Sequence, residues 1–220
     1  MLGRSVLVSL ATAAIALLAI APAGVQAAGN VTATLGPSGI LTITGDAAEA
    51  DQMAIVTVSP SGGSPDLVVG DLTAGIASIP PNCFAIDPTA FRCPQSMVGQ
   101  ININLGGGND TLTAKGIRGS LAEDLHRIYM RAYMGGGNDV AEGSPGRNVI
   151  VGGPGHDMIM GGPLGDQLFG GAQNDFLVGL GGNDLFQCGK GNRDLFNDGP
   201  GKDLVNIRSC EERVHRQFVP

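Results

Sequence analysis

The feature that most constrains this chain is a period of nine. Acidic or amide residues stand at Asp139, Asn148, Asp157, Asp166, Asp175 and Asp184, each nine residues after the last, and after one extra residue the series resumes at Asp194 and Asp203. Gly-rich stretches precede them, as in Gly152-Gly-Pro-Gly-His-Asp157 and Gly170-Gly-Ala-Gln-Asn-Asp175. A fixed internal period is the mark of a chain that stacks one small unit on the next, because a single unit cannot bury its own apolar face. Two earlier segments, Ile101-Asn-Ile-Asn-Leu-Gly-Gly-Gly-Asn-Asp110 and Met130-Arg-Ala-Tyr-Met-Gly-Gly-Gly-Asn-Asp139, read as copies of each other. Asp110 and Asp139 are not separated by a multiple of nine, so an insertion lies between the copies. Ser120-Leu-Ala-Glu123 within it is a capping box that predicts a short helix.

In each unit the first six residues predict a turn and the last three a short strand. Glycines at the start can take positive φ and point carbonyl oxygens inward, and the sixth residue supplies a carboxylate. The eighth is apolar nearly throughout, at Leu112, Ala141, Ile150, Ile159, Leu168, Leu177, Phe186, Phe196 and Val205, a row that would fill a narrow interior. Calcium takes six to eight hard oxygens in a forgiving geometry, and stacked turns of this kind offer carbonyls and carboxylates together. The residues expected to hold several Ca2+ ions are Asp110, Asp139, Asn148, Gly152, Gly153, Gly155, Asp157, Gly161, Gly162, Asp166, Gly170, Gly171, Asp175, Gly179, Gly181 and Asp184.

Units such as Gly161-Gly-Pro-Leu-Gly-Asp166-Gln-Leu-Phe and Gly179-Leu-Gly-Gly-Asn-Asp184-Leu-Phe-Gln resemble the Gly-Gly-x-Gly-x-Asp-x-apolar-x nonapeptide of the RTX, or haemolysin-type, calcium-binding repeat family. The resemblance is specific over Gly135 to about Asn206 and looser from Leu105 to Thr113. It implies an all-β right-handed parallel β-roll in which two nonapeptides complete one turn. Repeats two apart then stack, giving one ladder of Asp139, Asp157 and Asp175 and another of Asn148, Asp166 and Asp184. Asn148 offers a neutral oxygen, so weaker binding is expected on its rung. Arg193 and Lys202 precede Asp194 and Asp203, which marks the last two repeats as a calcium-poor capping end.

Outside the repeats the signals are plainer. Arg4, an apolar run from Val6 to Ala21 and the small-residue ending Val25-Gln-Ala27 predict a cleavable secretory leader over residues 1–27. Its removal leaves 12 basic against 20 acidic residues, a formal charge of −8, which disfavours nucleic acid and anionic membrane as partners. Four cysteines in an exported chain favour disulfides, with local pairing Cys83–Cys93 and Cys188–Cys210 preferred among three connectivities. Val31–Leu35, Ile40–Thr44 and Met53–Val58 read as strands between turn residues. Residues 28–104 thus form a β-rich N-terminal region, 105–134 a first isolated repeat with its insertion, 135–206 the calcium-binding roll, and 207–220 a C-terminal cap or tail. Whether residues 28–104 are a separate small domain or the first rungs of the stack is left open by the sequence.

Catalytic signatures are thin. The three histidines, His126, His156 and His215, form no His-Glu-x-x-His; there is no Gly-x-Ser-x-Gly elbow and no complete phosphate loop. His156 occupies a variable turn position and reads as an exposed turn residue. The chain is therefore expected to be a secreted, non-enzymatic calcium binder that folds on binding its metal, without membrane insertion. The alternative is an adhesion, surface or matrix protein in which calcium is only structural and the ligand is an extracellular protein or glycan.

Overall fold

A computed structural model describes residues 31–58 (except 46, 48 and 49), 66–114 (except 74), 128–206 (except 192), 209, 210 and 212–214. The expected leader and the capping-box helix lie outside these residues. Everything described is β-structure, apart from one 3-10 turn at Gln95–Met97. In chain order the strands are β1 Val31–Leu35, β2 Ile40–Thr44, β3 Gln52–Val58, β4 Asp66–Asp71, β5 Ile76–Ser78, β6 Phe84–Asp87, β7 Ala90–Pro94, β8 Gln100–Gly107, β9 Thr111–Thr113 and β10 Tyr129–Gly136. They continue as β11 Val140–Glu142, β12 Asn148–Pro154, β13 Met158–Gly162, β14 Gln167–Ala172, β15 Phe176–Leu180, β16 Leu185–Lys190, β17 Leu195–Asn197, β18 Leu204–Val205 and β19 Glu212–Arg213.

From β8 onward, successive strands alternate between two sheets. The first has the order β18-β16-β14-β12-β10-β8-β2-β1-β5, the second β19-β17-β15-β13-β11-β9-β3-β4-β7-β6. Within the repeats the pairing is parallel, and partners such as Ile150 and Leu168, or Ile159 and Leu177, lie two nonapeptides apart. Periodicity in sequence has become register in space. The row of eighth-position residues splits accordingly into two buried columns. One runs Ile43, Ile103, Ala132, Ile150, Leu168, Phe186 and the other Met53, Leu112, Ala141, Ile159, Leu177, Phe196. Burying a large apolar side chain of this kind is worth about 1.5–3 kcal/mol. A column of them is the stacking force that a Gly-rich chain otherwise lacks.

Several strands run past three residues, although β9, β11 and β17 keep the expected three. β12 runs from Asn148 through Pro154 and β14 from Gln167 through Ala172, so the opening glycines of the next unit belong to the strand, with Gly153 paired to Gly171. The turn proper is correspondingly short. Parallel pairing continues through these glycines because their main chains stack directly: a Cβ on Gly171 would run into the carbonyl of Gly153.

The N-terminal segment joins the same two sheets. β2 pairs in parallel with β8, Ile43 opposite Ile103, and β3 pairs in parallel with β9, Met53 opposite Leu112. Antiparallel strands then close that end: β1 with β2, and β3, β4, β7 and β6 in sequence. Its core is of ordinary size, with Leu41, Ile55, Leu67, Val69 and Phe91 fully buried. Cys83 and Cys93 are disulfide-bonded across it, and Cys188 and Cys210 at the far end. No helix among the described residues is long and apolar enough to cross a membrane.

Candidate metal centre

The sixth residue of each unit through Asp194 is turned inward and buried, and Asp203 is half-buried, an unusual placement for a carboxylate unless it is compensated. Asp110, Asp139, Asp157, Asp166, Asp175 and Asp184 are each at most 3 % exposed. One oxygen of each has an assigned task. The Asp110 main-chain N–H donates to Asp139 Oδ1 at 2.8 Å, Asp139 to Asp157 at 2.9 Å, and Asp157 to Asp175 at 3.0 Å. On the other side the N–H of Asn148 donates to Asp166 Oδ1 at 2.7 Å and that of Asp166 to Asp184 at 2.9 Å. The two ladders are those expected from the repeat spacing.

The second oxygen is different. Oδ2 of Asp110, Asp139, Asp157, Asp175 and Asp184 is buried without a hydrogen-bond partner among the described residues. Where the first residue of the unit is glycine, its Cα lies beneath this oxygen: a Cβ on Gly152 would collide with Asp157 Oδ2 and come within 2.7 Å of the Gly170 carbonyl oxygen. Gly161 sits the same way between Asp166 Oδ2 and the Gly179 carbonyl, and Gly179 between Asp184 Oδ2 and the Asp198 carbonyl. Carboxylate and carbonyl oxygens from neighbouring rungs therefore converge where only glycine leaves room.

Burial has the electrostatic consequence expected of an uncompensated carboxylate. Desolvation pushes Asp175 and Asp184 up to about 7 and Asp110, Asp157 and Asp166 to about 6, although the N–H received from the preceding rung pulls each down. Asp139 is raised for the same reason. Neighbouring carboxylates add to the rise, Asp157 and Asp194 at Asp175, and Asp166, Asp203 and Asp198 at Asp184. A divalent cation would remove this penalty. Among the described residues no three His, Cys, Asp or Glu side chains converge on one point, so most oxygens must come from the backbone. Calcium accepts carbonyl oxygens and an irregular shell, whereas Zn2+ calls for His or Cys. The donor set fits calcium.

Asn148 is built differently from its neighbours. Its Oδ1 accepts from the N–H and the hydroxyl of Ser144 at 3.0 and 2.8 Å, and its Nδ2 donates at 3.0 Å each to the carbonyls of Ser144 and Gly146 and to Asp166 Oδ1. The amide NH2 thus gathers two carbonyls and a carboxylate, the task a cation has elsewhere. Asp166 is also satisfied on its second oxygen, by the Gly162 N–H at 2.6 Å.

Three further ladder members are not among the expected calcium ligands, and of these Asp51 lies outside the repeat pattern. Asp51 donates its N–H to Asp110 Oδ1 at 2.8 Å, and Gly45 lies under its carboxylate and 2.8 Å in Cβ distance from the Leu105 carbonyl. The signal for it is the Asp51-Gln-Met53 tail, an Asp-x-apolar ending without the glycine turn in front. Asp194 and Asp203, placed in the capping end from their basic neighbours, carry the same bond, accepting from Asp175 at 2.8 Å and Asp184 at 2.9 Å. The variable fifth position forms an exposed ladder of its own. Asn109 accepts from the Asn138 N–H, Asn138 from His156 and His156 Nδ1 from Asn174, so His156 is an exposed turn residue bonded within the stack.

The family model of the RTX calcium-binding nonapeptide repeat, a unit of four copies, matches residues 133–163 and 161–195. Residues 133–195 are RTX calcium-binding repeats. Such repeats imply Ca2+ binding, and the two ladders described above run through the matched stretch. The RTX match begins at Tyr133 within β10 and ends at Leu195 in β17, while the same rung geometry continues on both sides of it. Neither a curated protein nor a solved structure matches the chain.

Proposed function

We propose that this chain is a secreted, non-enzymatic calcium-binding protein whose RTX repeats form a right-handed parallel β-roll that folds on taking up several Ca2+ ions. The observation that carries this reading is the series of buried, unpartnered Oδ2 atoms of Asp110, Asp139, Asp157, Asp175 and Asp184. Each is a desolvated negative charge, and together they oppose closure of the stack. Carboxylates of successive rungs, with the carbonyls above the first-position glycines, would hold the ions. The bound cation supplies the charge compensation that lets them be buried. Because the oxygens are brought together only by stacking, metal binding and folding draw on the same free energy.

Export is supported by the leader-like N-terminus and by two disulfides, which persist in oxidising compartments. Residues 28–104 serve in this reading as the N-terminal end of the stack, and the segment after 206, tied by Cys188–Cys210, as its other end. Circular dichroism of the mature protein during a calcium titration, with chelator reversal, tests the proposal. A calcium-dependent gain of β-signal is expected at about 10⁻⁴–10⁻³ M, the range of extracellular modules. A spectrum and melting profile indifferent to calcium would overturn it.

A further inference from the structure

The outward face of the first sheet differs from every other surface described. None of its nine strands contains Asp or Glu, in a chain with 20 acidic residues, whereas the second sheet carries Asp66, Asp71, Asp87, Glu142 and Glu212 in its strands. The charged residues in the strands of the first sheet are Arg131 and Lys190, both exposed.

The rest of the face mixes aromatic, amide and aliphatic side chains, with threonines on β1 and β2. Parallel register aligns Asn104, Tyr133, Val151, Phe169 and Gln187 in one outward row across five strands. Tyr133 is 44 % exposed and Phe169 half-buried. They lie two strands apart, about 10 Å at ordinary strand spacing. Beside this row runs Asn102, Arg131, Val149, Gln167, Leu185 and Leu204, and Arg131 lies 5.9 Å from the Tyr129 ring centroid. Both tyrosines of the chain are thus on β10, flanking Arg131. Where the row reaches Phe169, a shallow groove of about 430 Å3 opens between Phe169, Gln187, Lys190 and Ser209.

We propose that this face binds an acidic polysaccharide, a chain of sugars bearing carboxylates, laid along the stack across the strands. Exposed aromatic rings offer flat apolar surface to the faces of sugar rings, and Tyr adds a hydroxyl at the wet edge. Side-chain amides are donor and acceptor at once, which suits vicinal sugar hydroxyls. Arg131 and Lys190 provide a guanidinium and an ammonium for the carboxylates, with no acid in the described strands of this sheet. A nucleic acid would need many more cations to neutralise its phosphates. A protein partner would bury a continuous apolar centre, whereas Asn102, Asn104, Gln167 and Gln187 interrupt the apolar side chains of this face.

The surface is opposite in chemistry to the aspartate turns, so its ligand is distinguishable from calcium. Isothermal titration calorimetry of the calcium-loaded protein at 0.15 M salt would use oligomers of hyaluronan, alginate and polygalacturonate, with neutral dextran as control. Binding of at least one acidic oligomer and not of dextran is expected, weakened roughly tenfold or more by Tyr133→Ala and by Arg131→Gln, as for an exposed hot-spot residue. Both side chains are exposed, so both variants should keep the calcium-induced circular dichroism change of the parent. Failure of all three acidic oligomers to bind would overturn the proposal, as would equal affinity for dextran. Acidic binding unchanged in both variants would assign it to calcium at the turns and also overturn it. None of these results bears on whether the repeats themselves bind calcium.

Discussion

The main-chain N–H of Asp157 donates to Asp175 Oδ1 over 3.0 Å, while the other oxygen of Asp175 is buried without a hydrogen bond among the described residues. In the proposed reading one carboxylate therefore has two separable tasks, holding the rung before it and facing a cation. Asn in place of Asp175 keeps an acceptor for the Asp157 N–H and removes the charge; Ala removes both. Asp175→Asn should raise the calcium midpoint by roughly tenfold, the loss of one charge-assisted contact, yet regain nearly the parental melting temperature at saturating calcium. Asp175→Ala should remain less stable even at saturation by about 1–3 kcal/mol, the cost of an orphaned buried donor. Urea melts across a calcium series would separate the two, and identical behaviour of both variants would contradict the division.

The raised carboxyls give the calcium-free protein a definite pH dependence. Asp175 and Asp184 lie at about 7 and Asp110, Asp157 and Asp166 at about 6 in the fold, all above the ordinary carboxylate value of 3.8. Between those limits the folded state binds more protons than the unfolded one, so stability falls as pH rises. In chelator, β-signal and melting temperature should therefore increase as pH drops from 8 to 5. Calcium competes with the same protons, so its midpoint should move to higher concentration over the same interval. Circular dichroism at several pH values, with and without calcium, would reveal opposite slopes; parallel slopes would mean that the carboxylates are not the shared site.

Gly152 and Gly136 provide a matched pair. A Cβ on Gly152 meets Asp157 Oδ2 and the Gly170 carbonyl, whereas a Cβ on Gly136 meets nothing within 4 Å. Gly136 is also absent from the positive-φ residues. Gly152→Ala should cost about 1–3 kcal/mol, as overpacking does, and should weaken calcium binding as well. Gly136→Ala should change neither by a measurable amount. Thermal melts at saturating calcium decide this, and a tolerant Gly152 would show that the carboxylate can move away from its cradle.

Much of this site is legible in the sequence because its parts keep step. A period of nine with an apolar residue two positions after each Asp marks the units, the family resemblance implies which Asp stacks on which, and the local pairs Cys83–Cys93 and Cys188–Cys210 preferred from proximity in the chain are the ones formed. What the sequence conceals is whatever breaks step. Asp51 and Asp110 are ladder neighbours although 59 residues apart, because β4, β6 and β7 fold back as antiparallel strands and β5 joins β1 before the stack resumes. Likewise the insertion after Ala114 leaves β8 and β10 paired as if it were not there, Ile103 opposite Ala132. Register is a property of the sheet and is indifferent to what leaves it between rungs. At Asp194 and Asp203 the exposed Arg193 and Lys202 suggested a cap, yet exposed neighbours leave the inward carboxylate free to keep its main-chain bond.

Asn148 permits the sharpest test of how cation and fold are related. Its Nδ2 donates to the carbonyls of Ser144 and Gly146 and to Asp166 Oδ1, so a neutral amide gathers the oxygens of one rung. Asn148→Asp preserves an oxygen for the Ser144 N–H and hydroxyl but replaces the donor with a second carboxylate oxygen, facing three other oxygens. Without metal that arrangement is repulsive, and the variant should need more calcium than the parent to fold. With metal it supplies another charged oxygen among carbonyls, the donor set calcium favours. Equilibrium dialysis should then find one more calcium per chain than in the parent, while Asn148→Ala should gain none and melt lower. An unchanged calcium count in Asn148→Asp would mean that the amide fills a space no cation can enter, and that the Asn148 rung is held by hydrogen bonds alone.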